Sequence, residues 1–271
     1  MRVWNILHWL IAQHLKLVKN SEQVDVAKLV EQTLEDMDRL FEVSQNRDYT
    51  QYDSSQTFGL IEHYQGKSMD KAFETAKHKV QTQYNNFLNS EFYCGLWAAM
   101  DRAQGVFVEP IEPDFDKMKF YINWLPSIPI WAQADFAMIS DGIYTIYDWK
   151  TGRLPSYDAN HISKQLKIYA LKTLTKLGFE KFDNIDIVCQ EVYLKDQDLA
   201  MFGGNIDSIE QIKDTQEFVK KSIQKLTSML KDNDPIENIP KSIDRFEKTS
   251  NQSKCQSCRY IKQCRELEEY L

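Results

Sequence analysis

No stretch of this chain reaches the roughly 18 consecutive apolar residues that a membrane-spanning helix needs, so no span is expected. Glycine is scarce, 9 of 271 residues, and no glycine-rich phosphate loop of the Walker type occurs, which argues against an ATP-driven motor within the chain. The apolar stretch from Met1 to Leu17 is interrupted by Arg2, Asn5, His8, Gln13, His14 and Lys16, and no small-residue cleavage site follows. It therefore does not read as a secretion signal. With no export route visible, a cytoplasmic location is expected, where five cysteines read as thiols or ligands rather than disulfides. Positive charge is in deficit: 33 Lys and Arg against 40 Asp and Glu give a net charge of -7, which disfavours binding polyanions by bulk electrostatics. A local basic groove stays open. Lys164, Lys167 and Lys172, or Lys220 and Lys221, could supply one, and either set reads equally well as a solvated helix face.

What is present has the composition of a packed globular protein, 42% apolar and 27% charged, with length for one elaborated domain. From Val3 to about Met100 apolar residues such as Val26, Leu29, Val30, Leu34, Met37, Leu40 and Phe41 recur at three- and four-residue steps, predicting helices. Ser68 to Arg102 continues the pattern, with Ser68 and Asp70 as a plausible helix start. From Val106 to Lys150 short apolar or alternating runs are broken by Pro110, Pro113, Pro126 and Pro129, predicting sheet. The clearest piece pairs Ile130 to Met138 with Ile143 to Trp149 across Ser140-Asp141-Gly142, a hairpin that puts Asp135 and Asp148 on neighbouring strands. A helix from about Asp158 to Leu177, a strand from Ile185 to Leu194 and a helix from Asp214 to Lys231 complete a mixed α/β core. The tail from Asp232 is expected to wrap back over the domain. The expectation is a single domain, mainly helical over 1–105, an α/β core bearing the chemistry over 106–231, and a cysteine-rich tail over 232–271.

The most informative segment is Ala132-Gln-Ala-Asp135-Phe followed by Ile146-Tyr-Asp148-Trp-Lys150-Thr-Gly152. The two-residue period of a strand points Asp148 and Lys150 to one face. Carboxylates from adjacent strands can hold Mg²⁺ or Mn²⁺ with waters attached, and such an ion polarises a phosphate oxygen and acidifies a water. A lysine beside it can orient or deprotonate the attacking water and stabilise charge on the phosphate. Taken alone, an Asp-x-Lys on a strand edge is commonly a surface ion pair. What adds to it is Gln165-Leu-Lys-Ile-Tyr169, whose Gln and Tyr share a helical face and could reach the same phosphate. Trp97, Trp124, Trp131 and Trp149 could stack on unpaired bases, although aromatics in an α/β protein more often belong to the core.

Taken in order, Ala-Asp135, Asp148-Trp-Lys150-Thr-Gly and Gln165-x-x-x-Tyr169 resemble motifs of the RecB-type nucleases of the PD-(D/E)XK superfamily. The resemblance implies a restriction-endonuclease-like α/β fold, a mixed sheet flanked by helices, with helical N-terminal elaboration and a cysteine-clasped C-terminal tail. It implies that Asp135 and Asp148 bind metal, that Lys150 is catalytic and that Gln165 and Tyr169 assist. The family also places a metal-binding histidine on an N-terminal helix; His8 is the match and His14 the fallback. Its histidine usually lies well inside the chain, so the resemblance also implies that upstream family sequence is missing here.

Cys255-x-x-Cys258-x5-Cys264 has the spacing of metal or iron-sulfur ligands, yet three cysteines do not complete a four-ligand site. The arrangement resembles the iron-sulfur clasp of AddB and of CRISPR-associated spacer-acquisition nucleases, implying a 4Fe-4S cluster whose fourth thiolate lies towards the N-terminus. No cysteine precedes His8. Cys94 is the substitute by location, while Cys189 reads as a small buried hydrophobe. Loss of the fourth ligand, a start site placed too late, and zinc with a non-cysteine partner are the alternatives. The resulting expectation is a Mg²⁺- or Mn²⁺-dependent deoxyribonuclease, by resemblance an exonuclease, acting in DNA repair, recombination or mobile-element processing. Its partner is DNA, with any helicase or recombination protein supplied separately and no membrane involved. Two rivals stay open: a catalytically inactive nuclease-like module for DNA binding or scaffolding, against which the Asp135, Asp148 and Lys150 set argues, and a zinc-bound interaction protein.

Overall fold

The computed structural model of the chain describes residues 3–46, 59–64, 66–110, 118–122, 125–195, 198–234, 237–242 and 251. Its helical half follows the apolar spacing. The helices are α1 (Val3–Lys19), α2 (Val26–Asn46), the short α3 (Ile61–Tyr64), α4 (Asp70–Leu88) and α5 (Glu91–Arg102). Leu7, Leu10, Ile11 and Leu15, at three- and four-residue steps on α1, are fully buried, and α1 packs against α2, α4 and α5. The continuous helical pattern from Ser68 to Arg102 divides at Ser90. Its hydroxyl accepts from Tyr93 N–H at 3.1 Å, capping α5, and donates to the Phe87 carbonyl at 2.6 Å, closing α4. Ser68 does not cap α4: Met69 is the N-cap, and the Ser68 hydroxyl donates to Asp70 at 2.8 Å.

The strands are β1 (Gly105–Val108), β2 (Lys119–Ile122), β3 (Leu125–Trp131), β4 (Phe136–Ser140), β5 (Ile143–Lys150), β6 (Asp186–Tyr193) and β7 (Ala200–Asn205). Five of them form one sheet in the order β1-β4-β5-β6-β7, and β2 and β3 form a separate ribbon. Within the five-stranded sheet β5 and β6 run parallel while the other pairs are antiparallel, so the sheet is mixed. The hairpin turn lies where Asp-Gly places it, with φ of 52° at Asp141 and 82° at Gly142. The run from Ile130 to Met138 is not one strand, however. It divides into β3 and β4, and Asp135 is the residue immediately before β4.

Two more differences have local causes. The helix expected from Asp158 starts at Lys164, as α6 (Lys164–Leu177). Before it, Asp158 accepts from Asn160 N–H through its carboxylate at 2.8 Å and from His161 N–H through its carbonyl at 2.9 Å, a turn that competes with helix. Strand β7 carried no strand signal because Gly203 and Gly204 interrupt its apolar pattern. Gly203 has φ of 138°, and a Cβ there would meet the Cys189 carbonyl oxygen at 2.0 Å. The chain then continues into α7 (Ile209–Thr227).

The sheet is covered on both faces. Phe136, Met138, Tyr147, Trp149 and Val192 join the α1, α2, α4 and α5 side, whereas Ala137, Ile146, Ile187 and Cys189 join α6 and α7. This mixed α/β sandwich with N-terminal helices is the restriction-endonuclease-like class the motifs implied, and Cys189 is a fully buried core residue. No helix among the described residues is long and apolar enough to cross a membrane. Cys255, Cys258 and Cys264 lie outside the described residues.

Substituting Gly203 by Ala forces a Cβ into the Cys189 carbonyl at a positive φ, so the expected cost is about 1–3 kcal/mol. Urea unfolding followed by circular dichroism checks this, and an unchanged midpoint would mean that β7 lies less tightly on β6.

Candidate active site

The carboxyl ends of β1 and β5 meet the amino end of β4 at one edge of the sheet, because β4 runs antiparallel to both. Glu109 follows β1, Asp135 precedes β4 and Asp148 lies near the end of β5. The backbone joins two of them directly: Glu109 N–H donates to the Asp135 carbonyl at 2.9 Å. Asp135, buried, accepts from Trp149 N–H through Oδ2 at 2.6 Å, and its Oδ1 lies 3.1 Å from His8 Nδ1. Burial of Leu7, Leu10 and Ile11 fixes α1 so that His8 faces this edge.

Asp148 is only 3% exposed. Its Oδ1 accepts from Gln165 Nε2 at 3.2 Å and from the Tyr169 hydroxyl at 3.4 Å, while Gln165 Nε2 also donates to that hydroxyl at 2.6 Å. Lys150 donates to Gln165 Oε1 at 2.9 Å and forms an ion pair with Asp148 Oδ2. Gln165 therefore bridges the carboxylate and the ammonium with the two ends of one amide. His8, Glu109, Asp135, Asp148, Lys150 and Gln165 all line one cleft of about 780 Å³, with Trp9 and Trp131 also in its wall.

Burial and, after it, crowding of like charge show in the acidities. Burial and the charge of Asp135 push Glu109 up to about 7. Burial and Asp135 likewise push Asp148 up to about 6, against the opposing pull of Lys150. Burial by itself would lower His8, but Asp135, Glu109 and Asp148 outweigh it and the imidazole is raised. One imidazole nitrogen and two carboxylate oxygens, from His8, Glu109 and Asp135, lie within 4.8 Å of one another. Such a mixed nitrogen and oxygen set suits a divalent cation, whose charge would relieve the repulsion that raises these groups.

His8, Asp135, Asp148, Lys150, Gln165 and Tyr169 come together in the cleft. His14 does not: it is buried between the hydroxyls of Tyr84, at 2.7 Å, and Tyr93, at 2.5 Å, and burial lowers it to about 4. Cys94 is exposed on α5. Lys172 donates to the Ala132 carbonyl at 2.5 Å, Lys164 lies 4.5 Å from the Phe218 ring centre, Lys220 pairs with Glu217 at 3.7 Å and Lys167 lines a separate pocket with His161 and Asp207, so none of these lysines lines the cleft. Of the tryptophans, Trp149 is core, Trp97 and Trp131 are exposed, and Trp124 lies outside the described residues. Glu109 went unnoticed in the sequence. Its signal, an acidic residue closing the apolar run Gly105–Val108 before Pro110, is too common to mark a site until the fold sets it beside Asp135.

A model of the PD-(D/E)XK nuclease superfamily matches residues 5–265, nearly the whole chain. No curated protein and no solved structure matches it.

The three raised groups give a signed expectation for the metal-free protein. Each holds its proton more tightly folded than unfolded, so the stability it contributes is complete below the unfolded value. That stability is lost as pH rises from ordinary values of 3.8 and 4.5 through about 6 for Asp148 and about 7 for Glu109. Metal-stripped protein should therefore melt at a lower temperature at about pH 8 than at about pH 5, and Glu109→Gln should flatten the slope. Thermal melts in chelator across that range check it; a profile rising with pH would contradict the cluster.

Proposed function

Because the chain belongs to the PD-(D/E)XK nuclease superfamily, we propose that it is a metal-dependent deoxyribonuclease of the RecB type that hydrolyses DNA from strand ends. The observation that carries this reading is the bridged Asp148–Gln165–Lys150 set beside the His8–Glu109–Asp135 cluster in one cleft. His8, Glu109, Asp135 and Asp148 are the residues that would hold Mg²⁺ or Mn²⁺. When bound, the cation supplies the Lewis acidity and charge neutralisation that phosphodiester hydrolysis needs.

The chain's own groups do the rest. The Lys150 ammonium faces the cleft and stabilises negative charge developing on the phosphate. Gln165 holds that ammonium through Oε1 and Asp148 through Nε2, fixing their separation. Tyr169 donates to Asp148 and keeps its carboxylate turned towards the cleft. Trp149, anchored in the opposite core, prevents β5 from rotating these groups away.

The whole chain is one nuclease domain in this reading, its 232–271 tail stapled by a 4Fe-4S cluster on Cys255, Cys258 and Cys264. Cys94, being exposed on α5, is available as a fourth thiolate. Repair, recombination or mobile-element processing, with a separate helicase or recombination protein, fits an end-directed nuclease without a motor.

The direct test uses end-labelled single- and double-stranded DNA, anaerobically purified protein and Mg²⁺ or Mn²⁺. Wild type should cut, Lys150→Ala and Asp148→Asn should each lose about a hundredfold or more, and chelator should abolish cutting. No cutting by folded wild type under any of these conditions would favour a silent DNA-binding or scaffold module.

Glu109→Gln should weaken Mn²⁺ binding about 10-fold or more, measured by calorimetry without DNA. Iron and sulfide analysis separates a cluster from a single zinc, and Cys258→Ala should lose whichever is bound.

A further inference from the structure

The ribbon of β2 and β3 stands apart from the five-stranded sheet and has two unlike faces. Phe120 and Ile122 are buried in the core shared with α6 and α7, and Ile130 packs against them. Tyr121, between the two buried residues, is 41% exposed, and Trp131 at the end of β3 is 59% exposed. Trp131 is directly opposite Lys119 in the antiparallel register, and opposed residues share a face. Tyr121 follows Lys119 by two residues, so the strand period puts it on that face as well. A register irregularity falls between Phe120 and Ile122, but burial of those two with exposure of Tyr121 shows that the alternation survives it. The outer face thus presents an indole and a phenol ring beside one ammonium.

This face is continuous with the cleft. Trp131 lines the cleft together with Met118, just before β2, and Ala132 and Gln133, just after β3. Ala132 N–H donates to the Met118 carbonyl at 3.1 Å, tying the two chain ends of the ribbon together at the cleft wall. Tyr121 lies outside the cleft, farther along the same face. Charge also favours an anionic partner here. In a chain of net charge -7, β2 and β3 carry no acidic residue, and Lys119 is their one charge. The ribbon strands therefore lack the carboxylates that crowd the sheet edge at Glu109, Asp135 and Asp148.

Aromatic side chains stack on bases of any sequence, because every base has a π-face. Inside a duplex those faces are covered by neighbouring bases, so a surface ring finds one only where the strand is unpaired. The cleft itself, at about 780 Å³, is the size of a small-ligand site and admits about one or two nucleotides rather than a duplex. We infer that the outer face of the β2–β3 ribbon is a binding platform for an unpaired DNA strand. Trp131 stacks on a base at the cleft wall, Tyr121 on a base farther out, and Lys119 supplies charge to the phosphate beside them. The inference rests on the nuclease reading for DNA as the polymer, and it makes an unpaired strand the substrate class.

Fluorescence anisotropy with a short labelled single strand, and with the same sequence as a duplex, measures the platform in chelator, where nothing should be cut. Wild type should bind the single strand about 10-fold or more tighter than the duplex. Trp131→Leu, which keeps apolar bulk without a ring, should weaken single-strand binding about 10-fold or more, and Tyr121→Leu about threefold or more. Trp131→Phe restores a ring and should stay within about threefold of wild type. Trp97→Leu removes an equally exposed indole that does not line the cleft, and it should change nothing. Photocrosslinking of a strand carrying iododeoxyuridine, mapped on wild type by peptide mass spectrometry, should mark Trp131 or Tyr121.

Equal affinity for single strand and duplex, or single-strand binding that folded Trp131→Leu leaves unchanged, overturns the inference. Should Trp131→Leu fail to fold, the crosslinks on wild type decide, and crosslinks confined to other peptides overturn it. None of these readouts needs cleavage, so the two readings fail separately. Wild type that binds single strands through Trp131 yet cuts nothing when given metal refutes the nuclease reading alone. Wild type that cuts DNA yet binds single strands independently of Trp131 refutes the platform alone.

Discussion

The parallel pairing of β5 with β6 is the constraint on which the rest of this structure depends. Parallel neighbours cannot be joined by a tight turn, so the chain after Lys150 must leave the sheet, cross over it and return at Asp186. The crossing segment is α6, and its apolar face decides where it lies. Leu166, Ala170, Leu171 and Leu174 are fully buried and belong to the same core as Ile146, Ile187 and Cys189. With Leu166 seated there, the first turns of α6 hang over the end of β5, which is why Gln165 and Tyr169 reach Asp148. Hydrophobic burial along one helix face thus positions polar chemistry on the adjoining face.

The same alternation works along β5. Asp148 and Lys150 face the cleft, while Trp149 between them points into the opposite core against Phe87, Phe92, Phe136 and Tyr147. A large buried aromatic resists rotation of the strand, so the charges beside it cannot escape to solvent by twisting outwards. They are left crowded. Glu109, Asp135 and Asp148 come from three strand ends, and the folded chain offsets their repulsion with Trp149 N–H, Gln165, Tyr169, His8 and Lys150. Burial first, and the charge of Asp135 second, raise Glu109 and Asp148 in spite of these partners.

Legibility in the sequence followed the range of the interactions. Local rules located the hairpin at Asp141-Gly142, the helical half from its apolar periodicity and the shared face of Gln165 and Tyr169, because turn chemistry and helix period act over a few residues. The division of the long α4–α5 pattern at Ser90 and the late start of α6 were harder, since side-chain hydrogen bonds there oppose a continuous apolar signal. Strand β7 was hidden because Gly203 is required by close approach to Cys189, a contact 14 positions distant in the chain. Glu109 was hidden for the same reason: it acquires its meaning only from Asp135, whose carbonyl accepts from its N–H. The DxK and QxxxY residues were legible because motif resemblance already encodes such long-range placement.

An acidic chain that acts on an anionic polymer must solve an electrostatic problem, and the placement of its lysines narrows the solution. Lys164, Lys172 and Lys220 are engaged with the protein itself, and among the described lysines and arginines Lys150 is the one that lines the cleft. Against it stand Glu109, Asp135 and Asp148, so the cleft carries more acidic than basic side chains even with His8 counted beside Lys150. A divalent cation held at the acidic edge would reverse that balance locally. Approach of a phosphate backbone to this cleft would then be coupled to metal binding through the same carboxylates that crowd its edge.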